Sequence, residues 1–153
     1  MSIQEIYDEL TNSSTSISFP DKVREMGNQP TPEQIQDILD NALLWHRTGS
    51  SIICNPPVLN TDVDFMLFVQ KPQLLDFYTN NFDKDWQTNM LNYAGCILDT
   101  FRKGTYNILV TTDLVYYNIW ATCTDIAIQL NLLKKEDRIT LFCTMCRAFG
   151  YKS

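Results

Sequence analysis

The chain has 153 residues, enough for one compact domain around a single core. Apolar residues make up 44% and charged residues 20%, which excludes a disordered or low-complexity chain. A net charge of −6 argues against broad nucleic-acid binding, which needs surplus lysine and arginine, and no apolar run approaches the ~20 residues of a membrane span.

The opening stretch, SIQEIYDEL (residues 2–10), sets Ile3, Ile6, Tyr7 and Leu10 on one helical face. It carries neither the basic nor the apolar region of a secretory signal, so a cytoplasmic home without membrane association is expected. The Ser-, Thr- and Asn-rich segment after it reads as irregular, giving an N-terminal arm over 1–30 and one domain over 31–153.

The clearest helix start follows. Thr31 is an N-cap, Pro32 suits the first helical position, and Gln34 completes a capping box. Ile35, Ile38, Leu39, Ala42 and Leu43 form its apolar stripe, which predicts a helix over TPEQIQDILDNALLWHR ended by Gly49. SSIIC (50–54) reads as a short β-type run stopped by Pro56 and Pro57. DVDFMLFVQ is a strand so continuously apolar that both its faces should be buried. PQLLDFYTN predicts a short helix. DKDWQTNMLNYAGCILDTFRKG predicts a longer one, with Trp86, Met90, Tyr93, Ile97 and Phe101 at helical spacing and Gly104 as its stop. TYNILVT is a third strand, and DLVYYNIWATCTDIAIQLNLL a helix capped by Asp113 or Thr112. A last helix spans about Lys134 to Ala148. The sum is an α+β domain, a small mixed sheet packed against helices.

Chemistry concentrates at Asp62 and Asp64. In a strand, residues two apart share a face, so these carboxylates repel each other unless something positive compensates them. Mg²⁺ suits such a place, because it takes a few carboxylate oxygens together with substrate phosphates. Two ions held this way can clamp the attacking and leaving oxygens of a phosphoryl transfer. A phosphate tail then needs a holder. Gly49 lets the backbone approach, and Ser50 offers a hydroxyl and a backbone N–H. Arg47, Arg102 and Lys103 are the nearby cations that could meet phosphate; a screened surface charge, or for the latter two a helix C-terminal cation, is the plainer account.

TGS, eleven residues, then DVDF resembles the signature of the nucleotidyltransferase superfamily, with its polymerase-β-like fold. The resemblance spans about residues 32–112. It implies that Gly49 and Ser50 contact a nucleoside triphosphate and that Asp62 and Asp64 hold Mg²⁺ or Mn²⁺; of the nearby cations, Arg47 and Lys103 are expected to join the nucleotide. The implied activity is transfer of a nucleoside monophosphate from an NTP to a hydroxyl acceptor, whether RNA, protein or small molecule. FRKGTYNILVTTD, the Trp-Ala-Thr stretch and KKEDRITLF are similar to small phage-encoded nucleotidyltransferase-like proteins, which implies a bacterial host cytoplasm and a host-protein partner. Without Gly49 and Asp62 as motif residues, a helix end and a turn would account for both but leave Asp64 unexplained.

One position departs from the pattern. Active members carry a third carboxylate on a later strand, and the matching place in YNILVTT is Asn107, which has no charge and cannot act as a base. Asp113 lies six residues on, roughly 20 Å at strand rise, too far to replace it. Ser51 stands where many relatives have arginine. Two readings follow: an enzyme with a weaker third ligand, or a degenerate relative that binds nucleotide or a host protein without catalysis.

Other features carry less. Cys143 and Cys146 form a C-x-x-C without the second pair a structural zinc needs, so the five cysteines are expected as reduced core thiols. His46 is the only histidine and is expected to serve a helix end.

Overall fold

The computed structural model describes residues 29–56 and 61–152. The helix expected over 2–10 lies outside them.

Helix α1 (Pro32–Asn41) begins as its sequence dictates. Thr31 Oγ1 accepts from the Gln34 N–H at 3.1 Å, and Gln34 Oε1 accepts from the Thr31 N–H at 2.9 Å, closing the capping box. Ile35, Ile38 and Leu39 are its buried side. The helix stops at Asn41, six residues short of the expected Arg47. Residues Leu44–Thr48 form strand β1 instead. Trp, His and Thr are middling helix formers, and the open edge of the next strand offers this stretch a full ladder of backbone partners.

Gly49, at φ +80°, turns the chain out of β1. The run expected as a strand, Ser50–Ile53, is a single helical turn, α2. Strand β2 (Val63–Phe68) follows, then a 3₁₀ turn (Lys71–Gln73) and helix α3 (Leu74–Asn81). The long helix expected over residues 83–104 is absent. Strands β3 (Gln87–Tyr93) and β4 (Cys96–Lys103) form an antiparallel hairpin there. Ala94 (φ 56°) and Gly95 (φ 94°) make its two-residue loop, with the positive φ at both positions that a type I′ turn requires. The apparent helical stripe divides accordingly: Trp86, Tyr93 and Phe101 are buried, while Met90 and Ile97 are 67% and 54% exposed.

Strand β5 (Tyr106–Thr111), helix α4 (Leu114–Leu130) and helix α5 (Lys135–Ala148) complete the described chain. Asp113 is the N-cap of α4, accepting from the Tyr116 N–H at 3.1 Å. The sheet order is β1-β2-β5-β4-β3, with β2 and β5 parallel and the other pairs antiparallel. The architecture is therefore α+β with a mixed sheet.

Two cores flank this sheet. On one face Met66, Leu109, Tyr116, Trp120 and Phe142 pack α4 and α5 against it. On the other, Ile35, Leu39, Phe65, Phe77, Phe101 and Ile108 pack α1 and α3. Strand β2 is buried on both faces, as its unbroken apolar run implies, with Met66 and Leu67 at 0% exposure. Cys143 and Cys146 sit inside α5 as buried free thiols, and burial pushes Cys146 up to about 12. His46 lies in β1, not at a helix end, with Nε2 3.2 Å from Asp125 of α4. Among the described residues, no helix is long and apolar enough to cross a membrane.

Candidate functional site

Strand register places the polar residues. Thr48 of β1 stands opposite Asp64 of β2, Asp64 opposite Asn107 of β5, and Asn107 opposite Arg102 of β4. Four strands thus present one transverse row of polar side chains at the end of a sheet whose middle is apolar. Side chains of a row share a face, and here it is the face covered by α4 and α5.

The row is joined by hydrogen bonds. Asn107 Nδ2 donates to Asp64 Oδ1 at 3.1 Å. Arg102 reaches past Asn107 to Asp62, its Nη1 donating to Oδ2 at 2.8 Å and its Nη2 to Oδ1 at 3.2 Å. This is a bidentate pair, and it is enclosed: the side chains are 13% (Arg102) and 2% (Asp62) exposed. Ser50 comes to the same place from α2, its hydroxyl 2.9 Å from that of Thr61, the neighbour of Asp62. The backbone of Gly49 lies against Asp64 so closely that a Cβ there would fall 2.1 Å from Oδ2. Glycine is required twice, by this approach and by its φ.

A pocket of about 140 Å³ opens over the row. Gly49, Ser50, Thr61, Asp64 and Asn107 form its polar wall. Its inner end is apolar, with Trp120, Cys123 and Phe142. Thr48 lies beneath, accepting from Trp120 Nε1 at 2.9 Å and sharing a hydrogen bond with Thr124 at 2.8 Å. Lys135 and Arg138 of α5 also line the pocket and bring positive charge to it. Arg138 also donates to the Leu132 and Leu133 carbonyls at 2.7 and 2.9 Å, which fixes its guanidinium.

Electrostatics mark Asp64. Burial, then the neighbouring Asp62 charge, push its carboxyl up to about 7, against the pull of the Asn107 hydrogen bond, Arg102 and Lys135. Burial, then Arg138, lower the Lys135 ammonium, while Asp64 and Asp62 oppose that shift. An acid and an amine facing one pocket, each displaced toward its neutral form, are a functional-site signature.

The expected site residues divide. Gly49, Ser50, Asp64 and Asn107 meet at the pocket. Asp62 is adjacent but 1% exposed and engaged by Arg102. Arg47 is not brought there: alternation along β1 turns it away from Thr48, and it donates from Nη2 to Ser51 at 3.0 Å. Lys103 is the neighbour of Arg102 on β4, hence on the opposite face, and it belongs to a strand end rather than a helix end. Lys135 and Arg138 went unnoticed in the sequence. No local signal marked them, because Glu136 and Asp137 in the same first turn already answer both the dipole and the lysines. Among the described residues, no three His, Cys, Asp or Glu side chains group to hold a metal ion.

No protein-family model matches the sequence, and no curated protein matches it. Solved structures similar to the chain include a cytoplasmic RNA terminal U-transferase, 13% identical, covering 90% of this chain and 40% of that one, with a TM-score of 0.42. The Cid1 poly(U) polymerase with Mg and 3′-dATP bound is 14% identical, covering 90% of this chain and 43% of that one, with a TM-score of 0.43. The conserved protein GrpB from Enterococcus faecalis is 15% identical, covering 76% of this chain and 88% of that one, with a TM-score of 0.41. The chain spans less than half the length of these two transferases.

Proposed function

We propose that the pocket binds the phosphate end of a nucleoside triphosphate together with a divalent cation, and that the chain is a nucleotidyltransferase acting on a hydroxyl acceptor. One observation carries this reading: the Gly49–Ser50 turn abuts the Asp64 carboxylate in a pocket that Lys135 and Arg138 also line. A triphosphate has the charge and length to meet the turn and both cations. At about 140 Å³ the pocket is smaller than the roughly 300–1,000 Å³ usual for a whole ligand, so the sugar and base would extend through its mouth.

The donor set fits Mg²⁺ or Mn²⁺. It consists of hard oxygens, with Asp64 as the carboxylate facing the pocket and hydroxyls at Ser50 and Thr61. A carboxyl raised to about 7 by burial and a like charge is also one that a bound cation would return to its ionised form. When bound, the cation would neutralise phosphate charge and polarise the phosphoryl oxygens. Asn107 orients Asp64 through its N–H and takes no proton. Gly49 and Ser50 meet the phosphates with backbone N–H and hydroxyl, and Lys135 and Arg138 with positive charge.

Asn107 favours a second reading, a protein that binds nucleotide, or a host protein, without transferring anything. Calorimetric titration of each common NTP, with and without Mg²⁺, tests the shared part. Wild type is expected to bind only with Mg²⁺, and Asp64→Ala to lose that binding; no Mg²⁺-dependent binding in wild type rejects the proposal. Incubation with labelled NTP and candidate hydroxyl acceptors then separates the readings. Labelled product supports the transferase; binding without product supports the degenerate protein.

A further inference from the structure

We infer that Arg102 occupies the place of a second cation, so that the site accepts one divalent ion, anchored at Asp64. This rests on the proposed nucleotide site and concerns how many ions that site takes.

Geometry comes first. Both oxygens of Asp62 are bound by the two ends of one guanidinium, at 2.8 and 3.2 Å. The pocket wall contains Thr61 and Asp64 but not Asp62. For Asp62 to join a metal ion, two charge-assisted hydrogen bonds would have to break, leaving an arginine that is 13% exposed without its carboxylate. The backbone of Arg102 is paired on both sides, with Asn107 of β5 and Gln87 of β3, and its side chain is 13% exposed, so the guanidinium is held beside Asp62.

Charge points the same way. With Asp64 ionised, as a bound cation would make it, Asp62, Asp64 and Arg102 together carry one negative charge, and Asn107 adds none. An aspartate at 107 without the arginine would make it three. The difference equals the charge of one divalent ion. Arginine also suits the role, since its planar fork matches a carboxylate bidentately and does not lose its proton. Asp64 contacts Asn107 rather than the guanidinium, and it is the carboxylate left facing the pocket.

The test is Mn²⁺ titrated into the full chain with a non-hydrolysable ATP analogue, read by electron paramagnetic resonance. One bound Mn²⁺ per chain is expected, with the spectrum of an isolated ion. Two ions about 3.5–4 Å apart would couple and broaden it. A coupled pair in wild type overturns the inference while leaving nucleotide binding intact; no bound Mn²⁺ rejects the nucleotide site itself. Asp62→Asn/Arg102→Met, which removes both charges and avoids a lone buried ion, is expected to keep one isolated Mn²⁺ with affinity within about threefold. Loss of Mn²⁺ from this folded double variant, verified by circular dichroism, would make Asp62 a ligand and overturn the inference.

Discussion

Asp64 is where local physics is most exposed to experiment. Its carboxyl is raised from an ordinary 3.8 to about 7, so the folded state holds a proton that the unfolded state has already released over that interval. The contribution of Asp64 to the stability of the metal-free protein then falls as pH rises from 3.8 towards 7, and levels off above. Asp64→Asn removes this slope. Its advantage over wild type should widen between pH 4 and 7, reaching on the order of 2 kcal/mol after allowance for solvent screening. Urea midpoints at pH 4.5 and 8 check this; an equal difference at both would show that Asp64 is not the group responsible. Gly49 is the complementary case. An alanine there meets Asp64 Oδ2 at 2.1 Å and adopts a φ of +80°. Gly49→Ala should cost about 1–3 kcal/mol in denaturant unfolding. It should also weaken Mg²⁺-dependent nucleotide binding, as seen by calorimetry, because Asp64 must move.

At the scale of elements, the β3–β4 hairpin shows why a pattern can mislead. Trp86, Met90, Tyr93, Ile97 and Phe101 recur at helical spacing, but a β-strand pair with a two-residue loop between Tyr93 and Cys96 satisfies the same order. The loop also lacks the usual Asn-Gly signal. Ala94, its first residue, is 3% exposed and packed into the core with Tyr93, so an apolar residue stands where Asn would be favoured. The assignment is measurable. Met90→Ala should change stability by less than about 0.5 kcal/mol, because the side chain is exposed, whereas Phe101→Ala should cost about 3–5 kcal/mol. Equal costs would contradict the hairpin. Helix α1 and strand β1 teach a related lesson: the capping box was readable because it is local, while the point where Leu44–Thr48 leaves the helix depends on an edge of β2 that no local window contains.

The whole molecule decides the site. Gly49 and Ser50, Asp64, Asn107 and Lys135 come from four distant stretches and meet because β1, β2 and β5 are neighbours and α5 packs over their shared face. Lys135→Ala tests that assembly. It should weaken Mg²⁺–NTP binding about tenfold in calorimetry, the scale of one charged hydrogen bond to phosphate, while leaving the melting temperature nearly unchanged. Undiminished binding would remove α5 from the site.

By itself the sequence determined the residues whose signals are local or periodic: the Thr31 cap, the doubly buried strand in DVDFMLFVQ, and the start of α4 at Thr112 or Asp113, of which the structure uses Asp113. The resemblance pointed to Asn107 as the neutral residue at the third-carboxylate position, and the register of β2 against β5 then set it opposite Asp64. Tertiary structure decided the rest. Arg102 could be assigned to Asp62 only once β4 was a strand beside β5, and Lys135 to the pocket only once α5 lay across the sheet. Arg47 and Lys103, near the motif along the chain, face away from the pocket because alternation in a strand sends successive side chains to opposite faces. Such contacts depend on how elements pack, and sequence distance carries almost no information about that.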